Sequence, residues 1–268
     1  MKKYQSKNAG NEWPRISIVT PSLNQGDFIE STIQSVLSQK YPNLDYKIFD
    51  GGSTDSTLSI LNKYNGELNW ISEKDNGQSD AINKGMQLAT GDILAYINAD
   101  DILLPGSLFE VANIFKKKPE VQWVTGRCKN IDKEGKDIRR AIYLYKNTLL
   151  YLSSFRLLLM IDYISQPATF WRKELLDICG FFDTNLYYVM DYDFWLRIWK
   201  VSPPYVYHKD LAGFRIHRNS KTTTGAHLQD FIVEDGFVVK QHSPSKIWLQ
   251  LHNLHRLLMT TVYRYINR

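Results

Sequence analysis

Apolar and polar positions alternate in blocks along the first half of the chain, and the period switches from block to block. "RISIVTP" reads as a buried strand ending near Pro21. "DFIESTIQSVLSQ" then places Phe28, Ile29, Thr32, Ile33, Val36 and Leu37 on one helical face, with Asp27 as the expected N-cap. "DYKIFD" is a second strand, and "STDSTLSILNKY" opens a helix expected to be capped at Ser53 or Thr54. "LNWISE" predicts a third strand, followed by "SDAINKGMQLATG", a helix stopped by Gly91. "DILAYINADD" is a fourth strand, "GSLFEVANIFKKK" a helix and "VQWVTG" a fifth strand. Strand and helix in alternation at this spacing predict an α/β fold, with a mostly parallel sheet covered by helices on both faces.

The second half is less regular. "YKNTLLYLSSFRLLLMIDYIS", Tyr145 to Ser165, is apolar and aromatic, suited to core or to one wall of a binding site. In the tail, Leu251, Leu254, Leu258, Val262 and Tyr265 recur at helical spacing, with His252, His255, Arg256, Arg264 and Arg268 around them. A basic amphipathic helix of this kind suits an anionic membrane interface, packing onto the domain, or pairing with a second subunit.

Composition narrows the classes. With 268 residues, 43% of them hydrophobic, the chain suits one large domain or a domain with an appendage. Its two cysteines, Cys128 and Cys179, form no CxxC and make a disulfide framework an unsuitable reading, so a reducing cytoplasm is expected. The opening "MKKYQSKNAGNEWPR" has no apolar stretch of the signal-peptide kind, and no apolar run is long enough to span a bilayer. A net charge of +5 tolerates an anionic ligand or lipid surface without demanding one. The basic residues are interleaved with acids rather than forming a stripe, which argues against nucleic acid.

In open sheets of this kind, ligands bind at the carboxyl ends of the strands. Those ends carry Pro21, Ser22, Leu23 and Asn24; Asp50, Gly51, Gly52 and Ser53; Ser72, Glu73 and, past a turn, Asp80; and Asn98, Asp100 and Asp101. Each alone is compatible with turn chemistry. Together they form a polar edge, and adjacent carboxylates at Asp100 and Asp101 suit a hard divalent cation, Mg2+ or Mn2+, shared with a substrate's phosphates. No GxxxxGK[ST] or GxGxxG loop follows a strand, so a glycine cradle for phosphates is not expected.

Three segments carry a resemblance: "ISIVTPSLNQGDFIESTIQSVLSQKYPNLDYKIFDGGSTDST", "SEKDNGQSDAINKGMQLATGDILAYINADD" and "SQPATFWRKELLDICGFFDTNLYYVMDYDFWLRIW", ending in "GFRIHRNSKT". The stretch from Ile16 to Thr222 resembles family 2 glycosyltransferases, closest to the branch that builds O-antigen and other bacterial surface polysaccharides. The resemblance implies an inverting, metal-dependent hexosyl- or N-acetylhexosaminyltransferase with the GT-A fold, a Rossmann-like sheet with a C-terminal helical appendage. It implies a domain over 1–225, with a nucleotide-sugar half at 16–126 and an acceptor half at 127–225, and a helical segment at 226–268. It places donor contacts at Pro21, Ser22, Leu23, Asp50, Asp80, Lys84, Asn98, Asp100 and Arg215, and metal ligands at Asp100 and His217. Arg218 suits the same diphosphate.

The implied partners are a nucleotide-sugar, a UDP-sugar above all, and a glycan or lipid-linked acceptor. Contact of 244–268 with a membrane surface and homo-oligomerisation stay open. The implied location is the cytoplasm, peripheral at the inner face of the cell membrane. Two departures stand out: Gly51 where many members have a second aspartate, and Asn98 where many start with aspartate.

Transfer to an acceptor hydroxyl needs a base. The family's catalytic carboxylate matches Asp191, with Met190 in place of the usual glutamate. Helix capping is the competing role for Asp191, and Asp193 is the alternative base. Arg197, four residues after Asp193, predicts an ion pair along the helix. A nucleotidyltransferase using the same metal and a non-catalytic sugar-binding module are the alternatives from other classes.

Overall fold

The computed structural model describes residues 13–218, 220, 228–243 and 245–266, with side chains for all of these but 228 and 259–266. β1 (Ile16–Ser22) is buried at every position, as a strand covered on both faces must be. β2 (Leu44–Asp50) and β4 (Ile93–Tyr96) pair with it in parallel on either side, and β3 (Asn69–Ser72) continues the sheet beyond β2. The crossovers that parallel neighbours require are α1 (Ile29–Leu37), α2 (Thr57–Lys63) and α3 (Gln78–Gln87).

After β4 come β5 (Ile102–Leu103), α4 (Ser107–Lys117), β6 (Trp123–Ile131), β7 (Asp137–Ile138), α5 (Arg140–Tyr151) and α6 (Phe155–Met160). The chain finishes with β8 (Thr169–Arg172), α7 (Glu174–Cys179), α8 (Met190–Val201), β9 (Tyr205–Arg215), α9 (Leu228–His242) and α10 (Lys246–Ile266).

In space the sheet runs β3-β2-β1-β4-β8-β6-β9-β5, with β7 on β6. β8 is antiparallel to both β4 and β6, so its start lies beside the carboxyl end of β4. β9 runs parallel to β6, so its end reaches the same edge. Segments remote in sequence therefore meet along one rim.

The period-two pattern of β1 feeds two cores. Ile16 and Ile18 join Ile33, Leu108 and Phe170 on one face, while Val19 joins Met86, Trp171 and Trp195 on the other. A Cβ on Gly85 would lie 2.4 Å from Val19 Cγ1, which is why α3 seats directly on β1. Trp123 and Trp195 stack at 6.0 Å under α8, and Trp171 meets Trp195 edge-on at 5.7 Å.

The expected C-terminal helices are present, but the pair is not a loose appendage. Val238 and Val239 of α9 are fully buried in the cluster that contains Leu158 and Trp195, and Trp248 and Leu249 of α10 pack onto it. The face of α10 turned inward carries Trp248, Leu249 and His252. Leu254 and Leu258 of the expected stripe are 55% and 58% exposed, and the side chains of Val262 and Tyr265 lie outside the described residues.

Three local expectations need correction. α1 has Phe28 rather than Asp27 at its N-cap position, with no side-chain cap. α2 begins at Thr57 after Ser56, and Ser53 and Thr54 bond to the neighbouring loop instead. α3 ends at Gln87, before Gly91, whose N–H donates to Ser17 Oγ at the entrance to β4.

Candidate active site

The loop after β2 is folded around Asp50. Its Oδ2 accepts from the N–H groups of Gly52 (3.1 Å) and Ser53 (2.8 Å) and from Ser72 Oγ (2.6 Å), while Ser53 Oγ donates to Oδ1. Gly52 has φ +86°, which the turn requires. The same loop is stitched to the one after β1. Asn24 N–H donates to Ser53 Oγ (2.7 Å), Thr54 N–H to Asn24 Oδ1 (2.9 Å), Gln25 N–H to Thr57 Oγ1 (3.0 Å) and Gly26 N–H to Asp55 (2.9 Å). Most hydroxyls of this polar stretch thus bond within the protein. Ser22 Oγ, at the end of β1, is different: it is buried and has no hydrogen-bond partner. Leu23 next to it is 52% exposed.

At the end of β4 the expected metal ligands meet. His217 Nε2 lies 2.9 Å from Asp100 Oδ2, across 117 residues of sequence. Phe28 holds the imidazole by ring contact at 4.4 Å. Asp101 is completely buried; its Oδ1 accepts from Arg215 N–H (2.8 Å), and its Oδ2 from Asn98 Nδ2 (3.3 Å). Burial and the neighbouring Asp100 charge push the Asp101 carboxyl well above the usual range, against the bonds from Arg215 and Asn98.

Arg215, an expected donor contact, lies at the end of β9. Its guanidinium is buried and donates to the carbonyls of Asp100 (2.7 Å), Asp132 (3.0 Å) and Lys133 (2.8 Å) and to Ser31 Oγ (3.3 Å). These bonds brace the rim from behind. Asn98 is also engaged, accepting from Gln78 Nε2 (2.7 Å) and donating to Gln166 Oε1 (3.3 Å).

Asp191 and Asp193 separate cleanly. α8 is preceded by Val189 in the cap position with no side-chain cap, so neither aspartate occupies the N-cap. Asp193 is 4% exposed, and its oxygens accept from Arg197 Nε (2.8 Å) and bond His242 Nε2 (2.8 Å). Burial alone would raise its pKa; the His242 bond and the charge and bond of Arg197 outweigh it and hold the carboxyl below the usual range. The predicted i,i+4 pair is present. Asp191, in the first turn, is half-buried and accepts from Tyr192 N–H at 2.9 Å.

The loop before α8 is fastened to α3, where the Asn83 amide exchanges bonds with the Phe182 backbone (2.8 and 3.0 Å) and Ser79 Oγ donates to Leu186 O (3.3 Å). From the other side Glu234 of α9 accepts from the N–H groups of Tyr187 and Tyr188. Asp191 is therefore set in place by both neighbours. Tyr96, at the end of β4, has its pKa raised by burial and then by the charges of Asp191, Asp101 and Asp162.

Asp80 and Lys84 share a helical face as expected, with Lys84 Nζ 3.4 Å from Asp80 and 3.1 Å from Glu73. Sequence reading missed Gln78 and Gln166, whose amides hold Asn98, because single glutamines carry no motif. It also missed Asp162, in an apolar segment, and Asp75, whose Oδ2 lies 2.7 Å from where a Cβ on Gly51 would sit.

Asp100 and His217 offer one carboxylate and one imidazole to a divalent ion. Among the described residues, no group of three or more metal-ligating side chains gathers anywhere. Two protein ligands fit an ion whose remaining positions come from a diphosphate and water, not one held in a closed protein cage.

Known proteins resemble this chain in sequence and in fold. The model of Glycosyl transferase family 2 matches residues 17–177. An uncharacterized glycosyltransferase of Rickettsia prowazekii is 27% identical over 218 residues, 79% of this chain and 67% of that protein. A GalNAc(5)-diNAcBac-PP-undecaprenol beta-1,3-glucosyltransferase of Campylobacter jejuni is 25% identical over 84% of this chain and 72% of its own length. The chain spans about a third of several other curated relatives. Among solved structures, a mannosyltransferase of Pyrobaculum calidifontis in complex with GDP-Man and Mn2+ superposes with TM-score 0.69 at 17% identity, covering 91% of this chain and 71% of that one. That likeness identifies the fold as GT-A.

Proposed function

The chain belongs to glycosyl transferase family 2, and on that footing we propose that it is an inverting enzyme moving a hexosyl or N-acetylhexosaminyl group from a nucleotide-sugar to an acceptor hydroxyl. The observation that carries the reading is the 2.9 Å approach of His217 to Asp100 at the carboxyl end of β4. Two side chains 117 residues apart in sequence are brought together where a diphosphate would lie. Asp100 and His217 would hold Mn2+ or Mg2+ there; bound, the ion stabilises charge on the departing diphosphate.

The nucleoside end falls to Pro21, Ser22, Leu23 and Asp50. Ser22 Oγ lacks a partner, and Asp50 Oδ1 accepts from Ser53 alone among the described residues. Asp80, Lys84 and Asn98 border the sugar. Asp191 takes the proton from the acceptor hydroxyl as the bond to the anomeric carbon forms from the face opposite the leaving diphosphate.

A UDP-sugar is the preferred donor, and a lipid-linked glycan of surface-polysaccharide synthesis the preferred acceptor. The acceptor assignment draws on the named activity of the Campylobacter relative, and the Pyrobaculum structure supports a nucleotide-sugar and Mn2+ without favouring UDP. No helix among the described residues is long and apolar enough to cross a membrane. Val233, Phe237, Leu254, Leu257 and Leu258 are exposed on α9 and α10, and they support peripheral contact with a membrane from the cytoplasmic side. The test is a screen of nucleotide-sugars with and without Mn2+, following release of the nucleoside diphosphate. Full turnover in excess chelator would remove the metal from the scheme, and release of pyrophosphate would identify a nucleotidyltransferase.

A further inference from the structure

Resting on that assignment of Asp191, we propose that Asp162 is an acceptor-binding residue, whose carboxyl Oδ1 receives a hydroxyl of the acceptor sugar beside the one that attacks. Asp162 Oδ1 is buried and has no hydrogen-bond partner, although the residue as a whole keeps a partly open flank. A buried oxygen in that state costs stability, and at the rim a ligand's hydroxyl can supply the missing bond.

Topology puts it at the rim. Asp162 lies between α6 and β8, and the start of β8 stands beside the carboxyl end of β4. Gln166, four residues on, donates to Tyr96 O at 2.6 Å and meets Asn98 at 3.3 Å, which pins the segment there. Tyr192, next to Asp191, donates its hydroxyl to Leu158 O at 2.7 Å, just ahead of the same segment. Asp162 and Asp191 are therefore held on neighbouring supports, and the charge of Asp191 acts on the Asp162 carboxyl.

The neighbours decide which ligand fits. The charged groups acting on Asp162 are Asp191, Lys146 and Asp235; none lies at the ends of β1 or β2, where the nucleoside is assigned. Burial first, then Asp191, pushes the carboxyl up to about 8, with Ile164 N–H and Lys146 opposing. A carboxyl kept neutral offers one donor and one acceptor, the same pair that a sugar hydroxyl presents. An anion or a cation would suit it less.

Asp162→Leu and Asp162→Asn in the full chain test this, with nucleotide-sugar binding by calorimetry, donor hydrolysis, and transfer to a panel of p-nitrophenyl hexosides and N-acetylhexosaminides. Donor affinity and hydrolysis should stay within about twofold, melting temperature should hold or rise, and the KM for the glycoside should rise at least about tenfold in the leucine variant. The near-isosteric asparagine variant should fall between, and it guards against misfolding of the other. An unchanged KM in both variants would overturn the assignment while leaving the enzyme's proposed reaction intact. A wild-type protein that binds no nucleotide-sugar would instead overturn that reaction, and this subsite with it.

Discussion

The two loops at the ends of β1 and β2 and the segment around α8 are both rich in polar side chains, and each engages most of them within the fold while leaving one buried oxygen, Ser22 Oγ or Asp162 Oδ1, without a partner. In the loops, Asp50, Ser53, Asn24, Thr54, Asp55 and Thr57 bond to one another or to nearby N–H groups. Around α8, Asp193 is tied to Arg197 and His242, but Asp162 Oδ1 finds no partner and Asp191 is half-buried in the first turn. Density of polar residues in a sequence marks where the chain must turn. A polar atom left without a partner at the rim, as Ser22 Oγ and Asp162 Oδ1 are, can take a bond from a ligand, whereas Trp171 Nε1 and Trp195 Nε1 are left so inside the core.

The largest effects should come from the rim itself. Asp100→Asn should lower transfer by about a thousandfold, since a metal's share of leaving-group stabilisation is several kcal/mol. Added Mn2+ should not restore it. Asp191→Asn should lower transfer by about a hundredfold with donor binding kept, the usual scale for losing a general base. Near-normal transfer by that variant would shift the proton to another group and erase the contrast between the two aspartates of α8.

Much of the fold was legible because its signal is local. Apart from β5, the strand and helix alternation up to β6 follows from period and turn residues, and the family resemblance singled out Asp100, His217 and Asp191 as expected site residues. What was not legible depends on partners far away in sequence. Arg215 beside a histidine suits an anion on paper, but three carbonyls and Ser31 surround its guanidinium. The α10 stripe reads as amphipathic in either direction; only His252, bonded to Asp235 at 2.6 Å, and Trp248 show which side turns inward. β5 is two residues long and defined by its pairing with β9, so no period could announce it.

The Asp193–His242 contact ties α9 to the helix that carries Asp191. His242→Leu should cost about 2 kcal/mol of stability in denaturant melts, because it leaves a buried carboxylate with one partner fewer. Acid should expose the same link. Asp193 has a folded pKa below its unfolded value, so its contribution is complete above about 3.9 and is lost as pH falls through the folded value. Without the histidine that folded value rises, and acid unfolding should begin at a higher pH.

The smallest effect is the sharpest test of the contrast. Ser53 accepts from Asn24 N–H and donates to Asp50, so its hydroxyl belongs to the loop and not to a ligand. Ser53→Ala removes both bonds and should cost about 1 kcal/mol or a little more, as a buried internal hydrogen bond does. Donor affinity should fall by no more than the loosened loop allows, about twofold, and the nucleotide preference should not change. Ser22→Ala should show the reverse: its hydroxyl has no partner to lose, so stability should hold while nucleotide-sugar affinity drops. If Ser53→Ala instead weakens donor binding tenfold at unchanged stability, the loop's hydroxyls face the donor after all. Engagement within the fold would then be no guide to where the ligand lies.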